Sequence, residues 1–454
     1  MLFHAPATAS VDTVENMNDR TPHPPTQQDS ETLRTSLINP TNLDEVREVF
    51  NLKSLVFHSP RLTKTDLDTY AESLSQDGFR TTVIHDTAAP NTPAVASFLS
   101  MDSMCSLPGG ADVPTTAISD VVVLPTHKRQ GILRRWMTNE LHRAKNAGNV
   151  CAALHAAEWE IYGRYGFGMS AARTAWTLRP DRSHFLSQPS GHIRIITPHE
   201  AATIFTNIET AVRAAHPGTI TAPLTCWKHH TDPTTYSPNT PARWFAAHTD
   251  NNGNIDGAVS YSFPDGWKMG RHENRMTIHE LRASTPTAER ELWRHCANTD
   301  FITEIDYALG HPDLPLPWYL SNPRAAQSGP IWDGLWTRIL DVPAALNART
   351  YPLPGEINLT ITDPLHLTDG TYILTINTNG QATCHPTNTP NPQTPHLHID
   401  INALASLWLG GGGGIPTLPD LILQDKAHLT QKRDLHRVAT LFTWPNAPHD
   451  LTNF

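Results

Sequence analysis

A basic turn near residue 130 has the residue types that bind anions. It contains Lys128, Arg129 and Gly131, and it follows three β-branched residues, Val121 to Val123, which predict the end of a strand. From Ile132 onward apolar residues recur every three to four positions, which predicts a helix with one buried face. The free N–H groups and the positive dipole end at the start of a helix attract negative charge. We therefore expect the turn to bind an anion such as a pyrophosphate.

The amino-acid composition limits the classes of ligand and partner that such a site could have. The 454 residues predict two to three domains, and 39% hydrophobic residues with 12 tryptophans allow well-packed cores. The net charge of −10 disfavours a nucleic-acid partner and favours a small cationic or neutral one. Five widely spaced cysteines indicate neither a disulfide framework nor a CxxC zinc site. We therefore expect no metal and a reducing, cytoplasmic location.

No segment has the pattern of an export signal or a membrane span. Residues 1–30 lack the cationic start and apolar run of a signal peptide, so we expect a disordered N-terminal tail. The longest apolar run, within "ALASLWLG" at 403–410, is far shorter than the roughly 20 residues of a spanning helix. We therefore expect a soluble protein without a membrane partner.

The elements that must position the basic turn form an α+β pattern over residues 31–180. "NLDEVREVFNLKSLVF" predicts a helix, and "RTTVIHD" and "AVASFLSMD" predict strands before the loop "SLPGGADVP". After the turn and its helix, "VCAALHA" predicts a further strand and "RTAWTLRP" a last strand that closes this domain.

Residues 181–325 repeat the order strand, turn, helix, strand in weaker form. The matching segments are "GAVSYSF", "MTIHELRAS", "TAERELWRHCA" and "FITEIDYAL". The intervening turn, "STPTAERE", has no glycine and carries Glu289 and Glu291 where the first domain has basic residues, so it should repel a pyrophosphate. We interpret this segment as a degenerate copy kept for structure.

Residues 326–454 predict a third domain. It begins with "WTRILDVPAALNAR", which predicts a helix, and continues with two-residue alternation in "EINLTITD", "TYILTINT" and "HLHIDI". These patterns predict a sheet with covering helices. The run from Gly410 to Gly414 is expected to be a flexible loop.

Several motifs carry a resemblance to known acetyltransferases. The turn "RQGIL" and, about 30 residues on, "YGRYGF" resemble GCN5-related N-acetyltransferases, although Leu133 stands where that family usually has glycine or alanine. With "VLPTHKRQGILR", "ALHAAEWEIYGRYGFG", "ELRA" and "GLWTRILDVPAAL", the chain from about residue 40 onward is similar to the Eis (enhanced intracellular survival) acetyltransferases of actinobacteria. The resemblance implies an α+β fold of two tandem acetyltransferase-like domains, the second degenerate, followed by a sterol-carrier-protein-like α/β domain. It also implies a homo-hexamer.

The resemblance further implies the cosubstrate and the site residues. It implies acetyl-coenzyme A as donor and an amine as acceptor, on a small cationic molecule such as an aminoglycoside or on a protein lysine. The cofactor-binding positions that it implies are Val121, Val122, Val123, Arg129, Gln130, Gly131, Ile132, Leu133, Arg134, Ala157 and Glu158. It places the proton donor on Tyr162 and the proton acceptor on the α-carboxylate of Phe454, while Asn453 stands where the family often has an acidic residue.

These roles suit direct transfer of acetyl to an amine. An α-carboxylate, with a reference pKa near 3.5, is ionised and can accept the ammonium proton, and a tyrosine, with a reference pKa near 10, can donate to the leaving sulfur. Without the resemblance, Tyr162 is equally a packing tyrosine and Phe454 a frayed tail. Likewise Lys128 and Arg129 could be a solvated helix start. The alternative from another functional class is a non-enzymatic carrier that binds a lipid in the C-terminal domain.

Overall fold

Three β-sheets and the helices packed on them make up the described part of the chain. The computed structural model describes residues 32–59, 64–76, 78–89, 92–232, 241–264 and 274–452. The predicted tail at 1–30 and Phe454 lie outside these ranges. Within them, no helix is long and apolar enough to cross a membrane.

The first sheet holds the basic turn. Its part of the chain forms β1 (Leu33–Leu37), α1 (Leu43–Val56), α2 (Lys64–Gln76), β2 (Arg80–Asp86), β3 (Ala96–Ser106), β4 (Asp112–Val123), α3 (Ile132–Asn146), β5 (Cys151–His155), α4 (Trp159–Tyr162) and β6 (Gly168–Met169). The first predicted helix and the predicted strands from β2 to β5 are confirmed. α1 begins where the Asn42 side chain accepts a hydrogen bond from the Asp44 N–H, and it buries Val46, Val49 and Leu52.

The second sheet uses the middle of the chain. Its elements are β7 (Ala172–Leu178), β8 (His192–Ile196), α5 (Pro198–Ala215), α6 (Leu224–Thr231), β9 (Arg243–Thr249), β10 (Ile255–Ser262), β11 (Asn274–Ala283), α7 (Pro286–Ala297), β12 (Ile302–Gly310) and β13 (Ala326–Asp333). The strands lie in the order β13-β7-β12-β11-β10-β9-β8. A capping box between Thr197 and Glu200 starts α5. The predicted strands and helix between residues 255 and 310 are confirmed.

The third sheet is smaller and lies toward the C-terminus. After β14 (Leu335–Ile339) come α8 (Val342–Ala348), β15 (Gly355–Thr362), β16 (Gly370–Ile376), β17 (Ala382–Pro386), β18 (His396–Asp400), α9 (Ile401–Trp408), α10 (Leu418–Leu423), β19 (Ala427–Leu429) and α11 (Leu435–Leu441). Five strands pair in the order β17-β16-β15-β18-β19, which confirms a sheet with covering helices. The run from Gly410 to Gly414 is a loop in which every φ is positive, between 60° and 113°.

Two strands, β7 and β14, belong to a different sheet from the strand that precedes each of them in the sequence. The first sheet has the order β1-β2-β3-β4-β5-β14-β6, so β14 lies between β5 and β6. β7, predicted to close the first domain, lies instead in the second sheet between β12 and β13. The predicted helix at "WTRILDVPAALNAR" is wrong in its first half, which is β14. All five residues of β14 are buried, and a short run buried on both faces has no period that separates strand from helix.

A buried ion pair joins the first sheet to the third part of the chain. The Arg338 guanidinium, on β14, donates to Asp363 Oδ2 at 2.6 Å, and both side chains are fully buried. Asp363 also accepts hydrogen bonds from the N–H groups of Leu365, Leu367 and Thr368. Burial by itself would raise the pKa of Asp363, but the Arg338 charge and these hydrogen bonds hold it below its ordinary value.

Replacing Asp363 with asparagine should lower the free energy of unfolding by about 3–5 kcal/mol, because it leaves the Arg338 charge buried without a counterion. Urea denaturation followed by fluorescence measures this change. The control is Asp181→Asn, which removes one partner of an exposed pair with Arg179 and should change stability little. An equal, small effect of both substitutions would contradict the inferred role of the pair.

Candidate active site

β4 and β5 diverge next to the basic turn. They pair in parallel from Thr115 opposite Cys151 to Ile118 opposite Leu154. Beyond Ile118, β4 runs three residues from Ser119 to Val122 while its partner β3 covers only two, from Leu99 to Ser97. β4 therefore contains a β-bulge. The bulge includes Asp120, whose φ is +50°. The edge of β4 that faces away from β3 is therefore open toward the end of β5.

The three valines after the bulge pack their side chains into the protein. Val122 is 1% exposed and packs in a cluster with Val49 and Leu52 of α1. Val121 contacts the cluster that contains Trp136, and Val123 contacts the cluster that contains Ile132. These residues can therefore offer their backbone, rather than their side chains, to a ligand in the opening.

Asp120 connects the bulge to α1 and α2 through an ion pair and a hydrogen bond. Its Oδ1 lies 2.7 Å from Lys53 Nζ of α1, and its Oδ2 accepts from the Tyr70 hydroxyl of α2 at 3.2 Å. The Lys53 ammonium also lies 5.3 Å from the centre of the Phe50 ring. Sequence reasoning missed Asp120. A lone carboxylate inside the β-branched run "AISDVVV" was the available signal.

The basic turn has the backbone shape of an anion site. After a short 3-10 turn at Pro125–His127, Arg129 and Gly131 have positive φ values of 67° and 74°. Left-handed residues of this kind are a common component of turns whose N–H groups bind anions. α3 follows, and its first internal hydrogen bond joins the Arg135 N–H to the Gly131 carbonyl. The N–H groups of the first three helical residues, Ile132 to Arg134, are therefore available to a ligand.

The positive side chains around the turn have no carboxylate partners among the described residues. Lys128, Arg129, Arg134 and Arg135 are exposed, and none forms an ion pair within the described ranges. Cations at the start of a helix oppose its dipole unless an anion is bound. The arrangement therefore favours a ligand with more than one negative charge.

Tyr162 lies across the opening, at the end of α4. The side chain is 5% exposed and lies against Phe167, with ring centres 6.1 Å apart. Burial, and next to it the Tyr165 hydroxyl, raise the pKa of Tyr162 to about 12. No described residue forms a hydrogen bond with its hydroxyl. Ala157 and Glu158, which link β5 to α4, are exposed at the rim.

Exposed aromatic and acidic groups line the same side. Trp159 is 57% exposed and meets Trp336 edge to face at 4.9 Å between ring centres. The Trp336 indole N–H donates to Asp333 at 2.7 Å, and Glu158 and Glu160 are exposed nearby in the chain.

The end of the described chain is buried close to β5. Phe454 and Asn453 lie outside the described residues, but Thr452 is 5% exposed and its carbonyl accepts from the Arg173 guanidinium at 3.1 Å. The same guanidinium lies 3.2 Å from His155, the last residue of β5. The described chain therefore ends beside the last residue of β5, at the side of the opening that β5 forms.

The geometry brings the predicted residues to one place. The valine backbone, the turn and the first turn of α3 form one side of the opening, and Ala157, Glu158 and Tyr162 follow β5 on the other. Together they can hold a pyrophosphate-bearing ligand along β4 and present a hydroxyl to it. Phe454 is the one predicted site residue that the described chain does not include.

Family models match three consecutive parts of the chain. Residues 38–170 and 218–339 each match an Acetyltransferase (GNAT) domain, and residues 342–449 match a Sterol carrier protein domain. This confirms the predicted order of two acetyltransferase-like domains followed by a sterol-carrier-like domain. The domain limits at 31–180, 181–325 and 326–454 stay predictions.

Relatives along the sequence are acetyltransferases. The chain is 36% identical over 336 residues to an uncharacterized N-acetyltransferase of Streptomyces avermitilis, covering 72% of this chain and 79% of that protein. It is 33% identical over 342 residues to N-acetyltransferase Eis of Mycobacterium tuberculosis, with the same coverage of 72% and 79%.

Solved structures share the fold. Eis1 of Mycobacterium abscessus superposes with a TM-score of 0.77 at 24% identity, covering 93% of this chain and 100% of that one. A GCN5-related N-acetyltransferase of Anabaena variabilis superposes with a TM-score of 0.74 at 18% identity, with the same coverage of 93% and 100%.

Gly131→Ala should weaken binding of coenzyme A by about tenfold. An added Cβ meets no atom within 4 Å, so the fold has room for it, but the left-handed backbone costs a non-glycine residue roughly 1–2 kcal/mol. The turn can relieve this strain only by leaving the shape that gathers its N–H groups. Isothermal titration with coenzyme A measures the affinity.

Gly148→Ala is the matched control. Gly148, just past the other end of α3, also has a positive φ, 85°, and open space around a Cβ. It should lose similar stability without losing affinity. Equal affinities in both variants would exclude the turn as the phosphate site.

Proposed function

The chain belongs to the Eis family of GCN5-related N-acetyltransferases, and on that premise we propose that it transfers acetyl from acetyl-coenzyme A to amines of small cationic molecules, aminoglycosides among them, or to protein lysine. One observation carries the proposal most strongly. A bulged strand with an open edge leads into a turn with two left-handed residues and a helix whose first N–H groups are available. This combination fits a long pyrophosphate-bearing thioester better than it fits a lipid.

The donor is proposed to lie along β4. The backbone of Val121 to Val123 would pair with the amide groups of the pantetheine arm, in place of the strand partner that β4 loses after Ile118. The residues from Arg129 to Arg134 would hold the pyrophosphate through N–H groups and positive charge. Ala157 and Glu158 would contact the donor from the β5 side.

Tyr162 is proposed as the proton donor to the leaving sulfur. With a pKa of about 12 its hydroxyl remains protonated throughout the neutral range. Because the hydroxyl keeps its proton until negative charge develops on the sulfur, it can first donate a hydrogen bond to the sulfur and then transfer the proton to the departing thiolate. The free hydroxyl at the end of α4 is consistent with this role.

The terminal carboxylate of Phe454 is proposed as the proton acceptor. Such a carboxylate is ionised at neutral pH and can take the proton that the amine must lose when it attacks the thioester. The buried course of the chain as far as Thr452, beside His155, supports the proposal. No metal ion and no acyl-enzyme intermediate are required.

The surroundings of the opening favour a cationic acceptor. Trp159 offers an exposed ring, which the buried Trp336 supports edge to face, and Glu158, Glu160 and Asp333 offer carboxylates nearby in the chain. Aromatic rings and carboxylates both attract ammonium groups. The net charge of −10 acts in the same direction. A homo-hexamer and a cytoplasmic location remain proposals that rest on the family resemblance and composition.

The carrier alternative gains no support from the third part of the chain. Within the described residues, the inner face of its sheet is covered by α9, and Trp408 and Phe442 are at most 1% exposed. The Trp408 indole donates to the Ala345 carbonyl at 2.9 Å. Protein side chains fill this interior.

The proposed function is tested by thiol release from acetyl-coenzyme A in the presence of simple amines, aminoglycosides and lysine peptides. Acceptor-dependent release with at least one cationic amine is expected. Release that is the same with and without every acceptor would refute acetyl transfer to amines.

Tyr162→Phe should lower kcat on the order of a hundredfold and leave the affinity for acetyl-coenzyme A nearly unchanged, because the ring stays and only the donated proton is lost. The matched control is Tyr165→Phe, a neighbouring tyrosine that is also buried. It should turn over at nearly the wild-type rate. Near-normal turnover of Tyr162→Phe would make Tyr162 a packing residue.

A short extension after Phe454 should abolish acetylation, because it replaces the carboxylate with a neutral amide at that point. The same extension on the N-terminus is the control and should have no effect. Phe454→Ala keeps the carboxylate and should lose less activity than the extended chain. Steady-state rates are compared at equal folded fraction and equal oligomeric state. Equal rates for the two extended forms would remove Phe454 from the mechanism.

A further inference from the structure

The second sheet repeats the opening of the first. β11 and β12 pair in parallel from Asn274 opposite Ile302 to Ile278 opposite Tyr307 and then separate. Immediately beyond Ile278, β11 has an extra residue, His279, relative to β10. The bulge and the loss of the parallel partner therefore occur in the same order as in β4. The second sheet has kept the geometry with which the first one would hold its donor.

The turn that follows β11 does not suit an anion. Thr285 caps α7 with its own hydroxyl, which accepts from the Ala288 N–H at 3.1 Å. Glu289, in the first turn of α7, accepts from the Tyr319 hydroxyl at 3.1 Å, and burial raises its pKa to about 7. A carboxyl group therefore stands where the first domain has cations.

The C-terminal segment, residues 446–452, reaches both strands of this second opening. His449 Nε2 donates to the Leu309 carbonyl of β12 at 3.1 Å. On the other side, the Arg282 guanidinium of β11 donates to the Leu451 carbonyl. The Leu451 side chain is 7% exposed and packs in the cluster that contains Phe205. The segment thus makes backbone and side-chain contacts of the kind a bound peptide makes.

Asp450 then links this segment to the first sheet. Its Oδ2 lies 2.6 Å from His155 Nε2 and 3.5 Å from the Arg173 guanidinium. Its Oδ1 accepts from the Thr452 N–H at 2.9 Å, which fixes the turn of the chain after Asp450. Thr452 is held further by its hydroxyl, which donates to the Ile220 carbonyl at 2.6 Å. The Asp450 side chain is fully buried.

We propose that the opening of the second sheet is a binding groove for the chain's own C-terminal segment, and that Asp450 is a positioning residue that aims the chain end at the candidate active site. The catalytic half of this inference rests on the proposed role of Phe454. The duplicated domain then has a definite task. The second domain binds the C-terminal segment at the position where the first domain would bind the nucleotide. The bound segment in turn completes the site of the first domain.

The test compares Asp450→Asn with the full-length wild-type protein by hydrogen–deuterium exchange and kinetics. The variant should exchange faster in peptides that cover residues 446–452. Its kcat should fall at least about tenfold, while KM for acetyl-coenzyme A changes less than about twofold. Formate should restore part of the lost turnover, since a small carboxylate can replace a displaced one. Loss of stability alone gives no such rescue.

Two further variants separate positioning from general damage. Glu291→Gln removes a buried carboxylate paired with Arg290 and Arg294 on α7, away from the segment, and should lose stability without a change in kcat. Thr452→Val keeps the shape of its side chain and removes one hydrogen bond. It should fold and still lower kcat by a few-fold, which keeps the inference testable if Asp450→Asn folds poorly.

Unchanged exchange at residues 446–452 in Asp450→Asn would overturn the inference, as would faster exchange with unchanged kcat. Titration of wild type should give one coenzyme A per chain, and two would show that the groove is free for a nucleotide. Failure of the proposed function looks different. Wild type would then release no thiol with any amine, while exchange and stoichiometry would still report whether the segment occupies the groove.

Discussion

The divergence of β4 and β5 is the constraint on which the site depends. A strand that loses its neighbour exposes N–H and C=O groups that must be satisfied by a ligand or by water. Asp120, with a left-handed backbone, sits at the bulge where this begins, and strained backbone of this kind costs about 1–3 kcal/mol. Its contacts to Lys53 and Tyr70 hold the bulge against α1 and α2. The position of the opening therefore depends on the contacts of the bulge with α1 and α2.

Both sheets have a strand that loses its parallel neighbour, and the groups that lie beside that open edge differ between them. In the first, β4 has an open edge, and the cations around Gly131 form no ion pair with any residue that the structure describes, which favours an external ligand with several negative charges. In the second, His449 and Leu451 of the protein itself contact the two strands, and the group at the helix start is the carboxyl of Glu289 rather than a cation. The two sheets therefore share a backbone geometry and differ in the groups that lie beside it.

Local patterns explain which features could be predicted. The basic turn was predictable because its glycine, its cations and the change of period all lie within about fifteen residues. The sheet of β7 cannot be predicted from its sequence because its partners β12 and β13 lie far away in the chain. The sequence of β14 has no period that separates strand from helix because the strand is buried on both faces. The burial of residues 449–452 has no sequence signal either, since the segment is short and mostly polar. The roles of Tyr162 and Phe454 stay predictions.

The exchange of β14 into the first sheet has a consequence for synthesis. His155 of β5 and Leu335 of β14 pair in the finished fold although they lie 180 positions apart in the chain. At roughly 5–20 residues per second, β5 must wait on the order of ten to thirty seconds on the ribosome before its neighbour emerges. During that interval the β5 edge is an unpaired strand of apolar residues, the kind of surface that pairs with other chains. The topology therefore leaves this edge of β5 available for pairing with other chains until β14 has been synthesised.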